Sequence, residues 1–206
     1  RCSFITSKAR QSQNSISARP CAEHLITMNI LLNLVLFQFG WIATVAGAGQ
    51  GLWWPGPISL MVLAAVTFKL SPWPRTDLAL MCIACLIGLV VDSAYIYFDL
   101  VRFAEPVPFM QMAPIWILGM WMSFALTLNH SMGLFKNHLG AATLFGLFGG
   151  PIAYYVDAKN FGAAEIIGTP WLTYTVIGVI WAIMTPLLLA LAKNWLPKFD
   201  PPVVSH

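Results

Sequence analysis

From residue 29 onward the chain is built of apolar runs of about 18–22 residues separated by short polar breaks. A helix rises 1.5 Å per residue, so about 20 apolar residues cross a hydrocarbon layer about 30 Å thick. Strands of a membrane barrel would instead alternate over about ten residues. The pattern predicts six transmembrane helices, over about 29–48, 55–70, 77–98, 112–132, 138–156 and 170–195, the second being the shortest. Gly49 and Gly51 close the first, and Ser71, Pro72 and Pro74 stop the second. Pro57 and Pro114 fall near helix starts, where early N–H groups lack partners anyway. Trp53, Trp54, Trp73, Tyr95, Tyr97, Trp116, Tyr154, Tyr155, Trp171, Tyr174 and Trp195 gather at the span ends, as amphipathic rings do at headgroup level.

Composition agrees with this pattern. Of the 206 residues, 58% are hydrophobic and 9% charged, against about 25% charged in an ordinary soluble domain. There are too few polar residues to coat a water-facing surface. In lipid the backbone must satisfy itself, which leaves helices or closed barrels. The expected fold is therefore an all-α integral membrane bundle of six transmembrane helices with short loops, one domain over residues 28–197. A net charge of +3, scattered along the chain, gives no footprint for nucleic acid.

Loop charges orient the bundle. The connections after the second and fourth spans, with the C-terminal end, carry Lys69, Arg75, Lys136, Lys193 and Lys198; the remaining connections carry Arg102 and Lys159. Lys and Arg accumulate on the cytoplasmic side, so both termini are expected there. Residues 1–27 show no apolar period and one acid, Glu23, and Met28 stands directly before the first run. The segment is expected to lie upstream of the true start. A disordered basic tail, or an Arg- and Ser-rich transit peptide, are the alternatives. Residues 198–206 form a short polar tail.

Polar groups inside the hydrocarbon carry the candidate chemistry. Asp92 lies about two-thirds of the way along the third span, where a charge costs about 2.5–3.5 kcal/mol on insertion scales. It is expected to face the bundle interior, as an interhelical anchor or as a proton or ligand site. Tyr95, three residues on, shares its face; Thr44, Tyr154, Thr173 and Tyr174 fall at the same outer level. Asn33, Asn129 and His130, with Thr127 and Ser131, fall at the inner level, and Gln38 near the middle. His130 and Asp92 thus sit at opposite ends and form no dyad. Gly146, Gly149, Gly150 and Pro151 in the fifth span suit close helix packing, a kink or a cavity wall. Cys82 and Cys85 read as small packing residues rather than a redox pair. No metalloprotease, hydrolase, phosphate-loop or dinucleotide motif is present, and no metal or cofactor is expected.

Several motifs together resemble a known family: Asn33 with Phe37, Gln38, Phe39, Gly40 and Trp41; Asp92 and Ser93; Pro114 and Trp116; Thr127 and Asn129; and Gly149, Gly150, Pro151 and Tyr154. In order and spacing they resemble the small bacterial inner-membrane proteins catalogued as domain of unknown function twenty-eight seventy-eight, over about Met28 to Trp195. The resemblance implies an inner-membrane location, brings no catalytic role, and carries an association with membrane-lipid modification and stress response. Three roles are open. The first is a carrier or binding protein for a small or lipid-like solute, with Asp92, Tyr95 and Tyr154 lining a cavity. The others are a membrane-embedded enzyme or accessory subunit acting on lipids at Asn129 and His130, and a structural partner of another membrane protein. Beyond such a ligand or partner, the lipid bilayer itself is the expected surrounding.

Overall fold

A computed structural model describes residues 27–105, 107, 108 and 110–199. The expected tail before Met28 lies almost wholly outside the described residues, as does the polar tail beyond Phe199. Six helices follow in the predicted order: α1 (Thr27–Gly49), α2 (Pro55–Leu70), α3 (Pro74–Tyr97), α4 (Ile115–Ala125), α5 (Leu139–Val156) and α6 (Pro170–Phe199). Proline sets the entry of α2, α3 and α6, where it removes only an N–H that has no partner. Four of the six, α1, α3, α5 with its continuation to Phe161, and α6 as far as Trp195, are long and apolar enough to cross a membrane. The other two are shorter. The 16 residues of α2 span about 24 Å and the 11 of α4 about 16 Å.

The helix α4 sits at the centre, packed against α2 and α3, while α5 runs along α6. Its Trp116 and Trp121 are buried. Glycines make the crossings tight, as small residues do where lipid gives helices no hydrophobic reason to associate. A Cβ on Gly88 of α3 would lie 2.3 Å from the Trp121 ring, and one on Gly146 of α5 would lie 2.2 Å from the Trp181 carbonyl oxygen of α6. Pro151 stands inside α5, which runs through it. Proline cannot donate to the carbonyl four residues back. That carbonyl, of Leu147, faces Gly178 of α6, where a Cβ would approach it to 2.9 Å.

The predicted fourth span is where the structure departs most from expectation. The helix ends at Ala125, and residues 126–132 form a run of turns instead of reaching Met132. The Thr127 hydroxyl donates to the Phe124 carbonyl at 2.6 Å, the local competition that disfavours threonine within helices. Backbone bonds then tighten to three-residue spacing: Thr127 N–H to Phe124 O at 2.9 Å, Leu128 to Ala125 at 3.2 Å, His130 to Thr127 at 3.0 Å. Asn33 of α1 supplies what the broken helix lacks. Its amide donates to the Leu126 carbonyl at 3.1 Å, and its oxygen accepts from the Ser131 hydroxyl at 2.7 Å. Irregular backbone survives at membrane depth only where protein encloses it, and Leu126, Thr127 and Leu128 are all buried.

The loops also hold more than predicted. β1 (Val101–Phe103) pairs antiparallel with β2 (Ala164–Ile166), Arg102 opposite Glu165. Strands of three residues leave almost no alternation to read, and the partners are far apart in sequence. Phe103 nonetheless anchors the ribbon, edge-on to Trp116 at 5.8 Å. Between α5 and β2 the chain makes one wide turn, Asp157–Phe161, ended by Gly162 at φ +67°. A left-handed backbone of that kind favours glycine.

Candidate functional site

At the ribbon end, Asp92 of α3 is wholly buried. It accepts from the Trp121 indole N–H at 2.6 Å and from the Tyr154 hydroxyl of α5. Three helices therefore meet on one carboxylate. A buried carboxylate is tolerated when hydrogen bonds occupy its oxygens. Tyr95 is buried beside it, its ring edge-on to Tyr154 at 5.9 Å, and its hydroxyl has no partner among the described residues. Thr44 is buried too, its hydroxyl turned to the Gly40 carbonyl at 2.7 Å. Tyr174 does not join them; it lies against Tyr155, whose ring is exposed, at 6.2 Å.

In front of this cluster a cavity of about 260 Å³ opens between α1, α4 and α5. Its wall includes Phe37, Trp41, Thr44, Trp121, Phe124, Phe145, Gly149, Tyr154 and Trp181, and no charged side chain. Asp92 and Tyr95 stand behind that wall and do not line it, unlike the expectation that both would. Phe145 and Ile152 line the cavity and are 47% and 60% exposed, so it is open at the α1–α5 side, with the exposed Gln38 amide at the same mouth. Gly149 faces this space: a Cβ there would meet only the Phe145 ring, at 3.9 Å. Gly146 and Gly150 also border the cavity, but a Cβ on either would run into Trp181 of α6. The Trp181 indole N–H is buried without a partner among the described residues.

The opposite end holds a second polar cluster. Asp77, buried at the start of α3, accepts from Ser71 Oγ at 2.6 Å and Asn129 Nδ2 at 2.6 Å, and pairs with His130 Nε2 at 3.0 Å. The Asn129 oxygen in turn accepts from the Lys136 ammonium. Lys136 lies on the short 3-10 helix Gly133–Asn137, its ammonium 5.6 Å from the centre of the Trp73 ring. Burial pulls its pKa down to about 8, outweighing the nearby Asp77 carboxylate, which pushes it up. Asn33, Asn129 and His130 all line one pocket at this end. His130 and Asp92 remain apart, 38 positions along the chain and each with its own partners.

Sequence reasoning missed Asp77, Lys136, Trp121 and Trp181 as members of these clusters. Asp77 looked like a span boundary, and Asp157 looked like a loop acid, although the fold buries it. Trp121 and Trp181 carried a usable signal. Both stand mid-span, away from the headgroup level where tryptophan is common.

A mainly helical bundle with four membrane-length apolar helices, buried interhelical polar pairs and an uncharged cavity is a membrane protein. The chain belongs to a family described as "Protein of unknown function (DUF2878)", whose model matches residues 30–187. No curated protein and no solved structure matches it.

Proposed function

We propose that this is a multi-pass protein of the bacterial inner membrane that binds a small uncharged or lipid-like solute, as a carrier or binding protein. The observation that carries this reading is the aromatic cavity between α1, α4 and α5, open toward the α1–α5 side and free of charged lining residues. It exceeds the roughly 150 Å³ of an apolar cavity that takes up benzene. A charged solute entering it would lose its hydration for no counter-charge. All six helices lie within the bilayer in this reading, the short α4 being completed by the turns up to Met132. Both termini are cytoplasmic, on the strength of the Lys and Arg distribution.

Photolabelling the purified protein in lipid nanodiscs with a neutral phenyl diazirine tests the cavity. Labelling at Trp41 and Phe145 is expected to saturate and to exceed that at the 61% and 70% exposed Leu86 and Val90. Gly149→Leu, which fills the space, should remove the excess. Labelling no denser on the cavity wall than on Leu86 would overturn the reading.

A second reading, a membrane-embedded enzyme or accessory subunit acting on lipids, draws on the Asp77–His130 pair, whose imidazole lines a pocket. A carboxylate bonded to one ring nitrogen can orient a histidine for proton transfer. Identical lipid profiles in deletion and parent strains, in growth and under stress, would remove this alternative.

A further inference from the structure

The geometry points to a second, separate binding site: the pocket enclosed by the N-terminal part of α1, the end of α2 and the 3-10 helix holds the phosphate group of a membrane phospholipid, with Lys136 as its counter-charge. This pocket measures about 710 Å³ and opens where α1 begins, α2 ends and α5 begins. Helix ends of a membrane bundle stand level with the lipid headgroups.

Its lining has the charge pattern of an anion site. Lys136, His130 and His138 line it, and no carboxylate does. The neighbouring Asp77 lies behind the wall, its oxygens taken up by Ser71, Asn129 and His130. Lys136 is positioned in advance: its ammonium donates to the Asn129 oxygen and lies over the Trp73 ring. Both partners are neutral. An ammonium has three donors, and the ion pairs among the described residues are Arg102–Glu165 and Asp77–His130, neither of which involves Lys136. A half-desolvated cation facing a cavity without a direct anionic partner gains most from an anion that enters. His138, at the head of α5, lines the same pocket, and the first turn of that helix holds no acid.

The occupant is a lipid rather than free phosphate because the pocket continues onto apolar side chains. Leu32 and the 75% exposed Leu134 line its rim. A headgroup anion at Lys136 would lay its acyl chain against them, a contact that inorganic phosphate cannot make. This site does not depend on the aromatic cavity and stands or falls separately.

The test is native mass spectrometry, with a thermal-shift titration, of the purified protein in micelles. The probes are dioctanoyl phosphatidylglycerol, dioctanoylglycerol and sodium phosphate. Phosphatidylglycerol should bind saturably, and dioctanoylglycerol at least tenfold more weakly. Lys136→Met should lower phosphatidylglycerol affinity at least tenfold and Lys136→Arg by no more than threefold. Leu134→Glu alters an exposed position and should leave the melting temperature unchanged, while its carboxylate at the rim weakens binding severalfold. Gly149→Leu should leave this binding unchanged while abolishing diazirine labelling of the aromatic cavity. Undiminished phosphatidylglycerol binding in Lys136→Met or in Leu134→Glu would overturn the site. Displacement of the lipid by an equal concentration of inorganic phosphate would overturn its assignment to phospholipid.

Discussion

The Tyr154 hydroxyl on α5 donates to the Asp92 carboxylate on α3, joining two helices across 62 residues of chain. Trp121 of α4 donates to the other carboxylate oxygen. Removing the acceptor strands two buried donors, and an unsatisfied buried donor costs about 1–3 kcal/mol. Asp92→Ala is therefore expected to destabilise the bundle by about 2–6 kcal/mol in reversible unfolding from micelles. Asp92→Asn should fall between Asp92→Ala and the parent, since a carboxamide accepts one donor and opposes the other with its own N–H. Tyr154→Phe combined with Asp92→Asn should show coupling, as directly bonded pairs do. Strict additivity would contradict the bond.

The glycines of α5 should behave in opposite ways. A Cβ on Gly146 meets the Trp181 backbone, which cannot yield, whereas one on Gly149 meets only a ring at van der Waals distance. Gly146→Ala is expected to lower stability by about 1–3 kcal/mol or more, the range of overpacked cores. Gly149→Ala should be neutral or raise stability by up to about 1 kcal/mol, the helix preference of alanine over glycine. Equal losses for the two would mean that both face α6.

These two glycines also show what the sequence could tell. The apolar runs marked all six helices, because long uniform segments between polar breaks stand out, and prolines mark the starts of α2, α3 and α6. Depth along a helix followed from residue counting, so the separation of Asp92 from His130 was legible. Azimuth was not. Gly146 and Gly149 look alike in sequence, yet one faces a helix and the other a cavity, since that choice depends on how α5 lies on α6. The break after Ala125 was hidden for a similar reason: Leu126, Leu128 and Met132 continue the apolar run, and the Asn33 side chain that supports the unwound turns comes from a different helix. Tyr174 misled by the same omission, since it has the depth of Asp92 but turns toward Tyr155.

Topology is directly measurable. A fluorescent-protein fusion to the C-terminus is expected to fluoresce in the cytoplasm. An alkaline-phosphatase fusion truncated within the β1–α4 connection should be active outside. The reverse pattern would invert the assignment of ends, placing the Asp92 cluster at the inner face and Lys136 at the outer one.

Lys136 makes the pH response specific in sign. Burial holds its pKa near 8, below the ordinary 10.5 of the unfolded chain. Between those values the unfolded chain binds more protons than the folded one, so stability should rise with pH over that interval and lose this gain below it. Phosphatidylglycerol affinity should move the other way, falling as pH rises through about 8 and the ammonium becomes a neutral amine. The other titratable groups facing this region are His130 on the turns after α4, His138 at the head of α5 and the buried Asp77 on α3. Lys193 of α6 bonds Asn137 from outside at 3.0 Å. Titrating the lipid against the parent protein and Lys136→Arg separates their contributions. Arginine stays charged throughout, so the fall near pH 8 should vanish in that variant while binding persists. A fall that persists unchanged in Lys136→Arg would remove Lys136 as its cause.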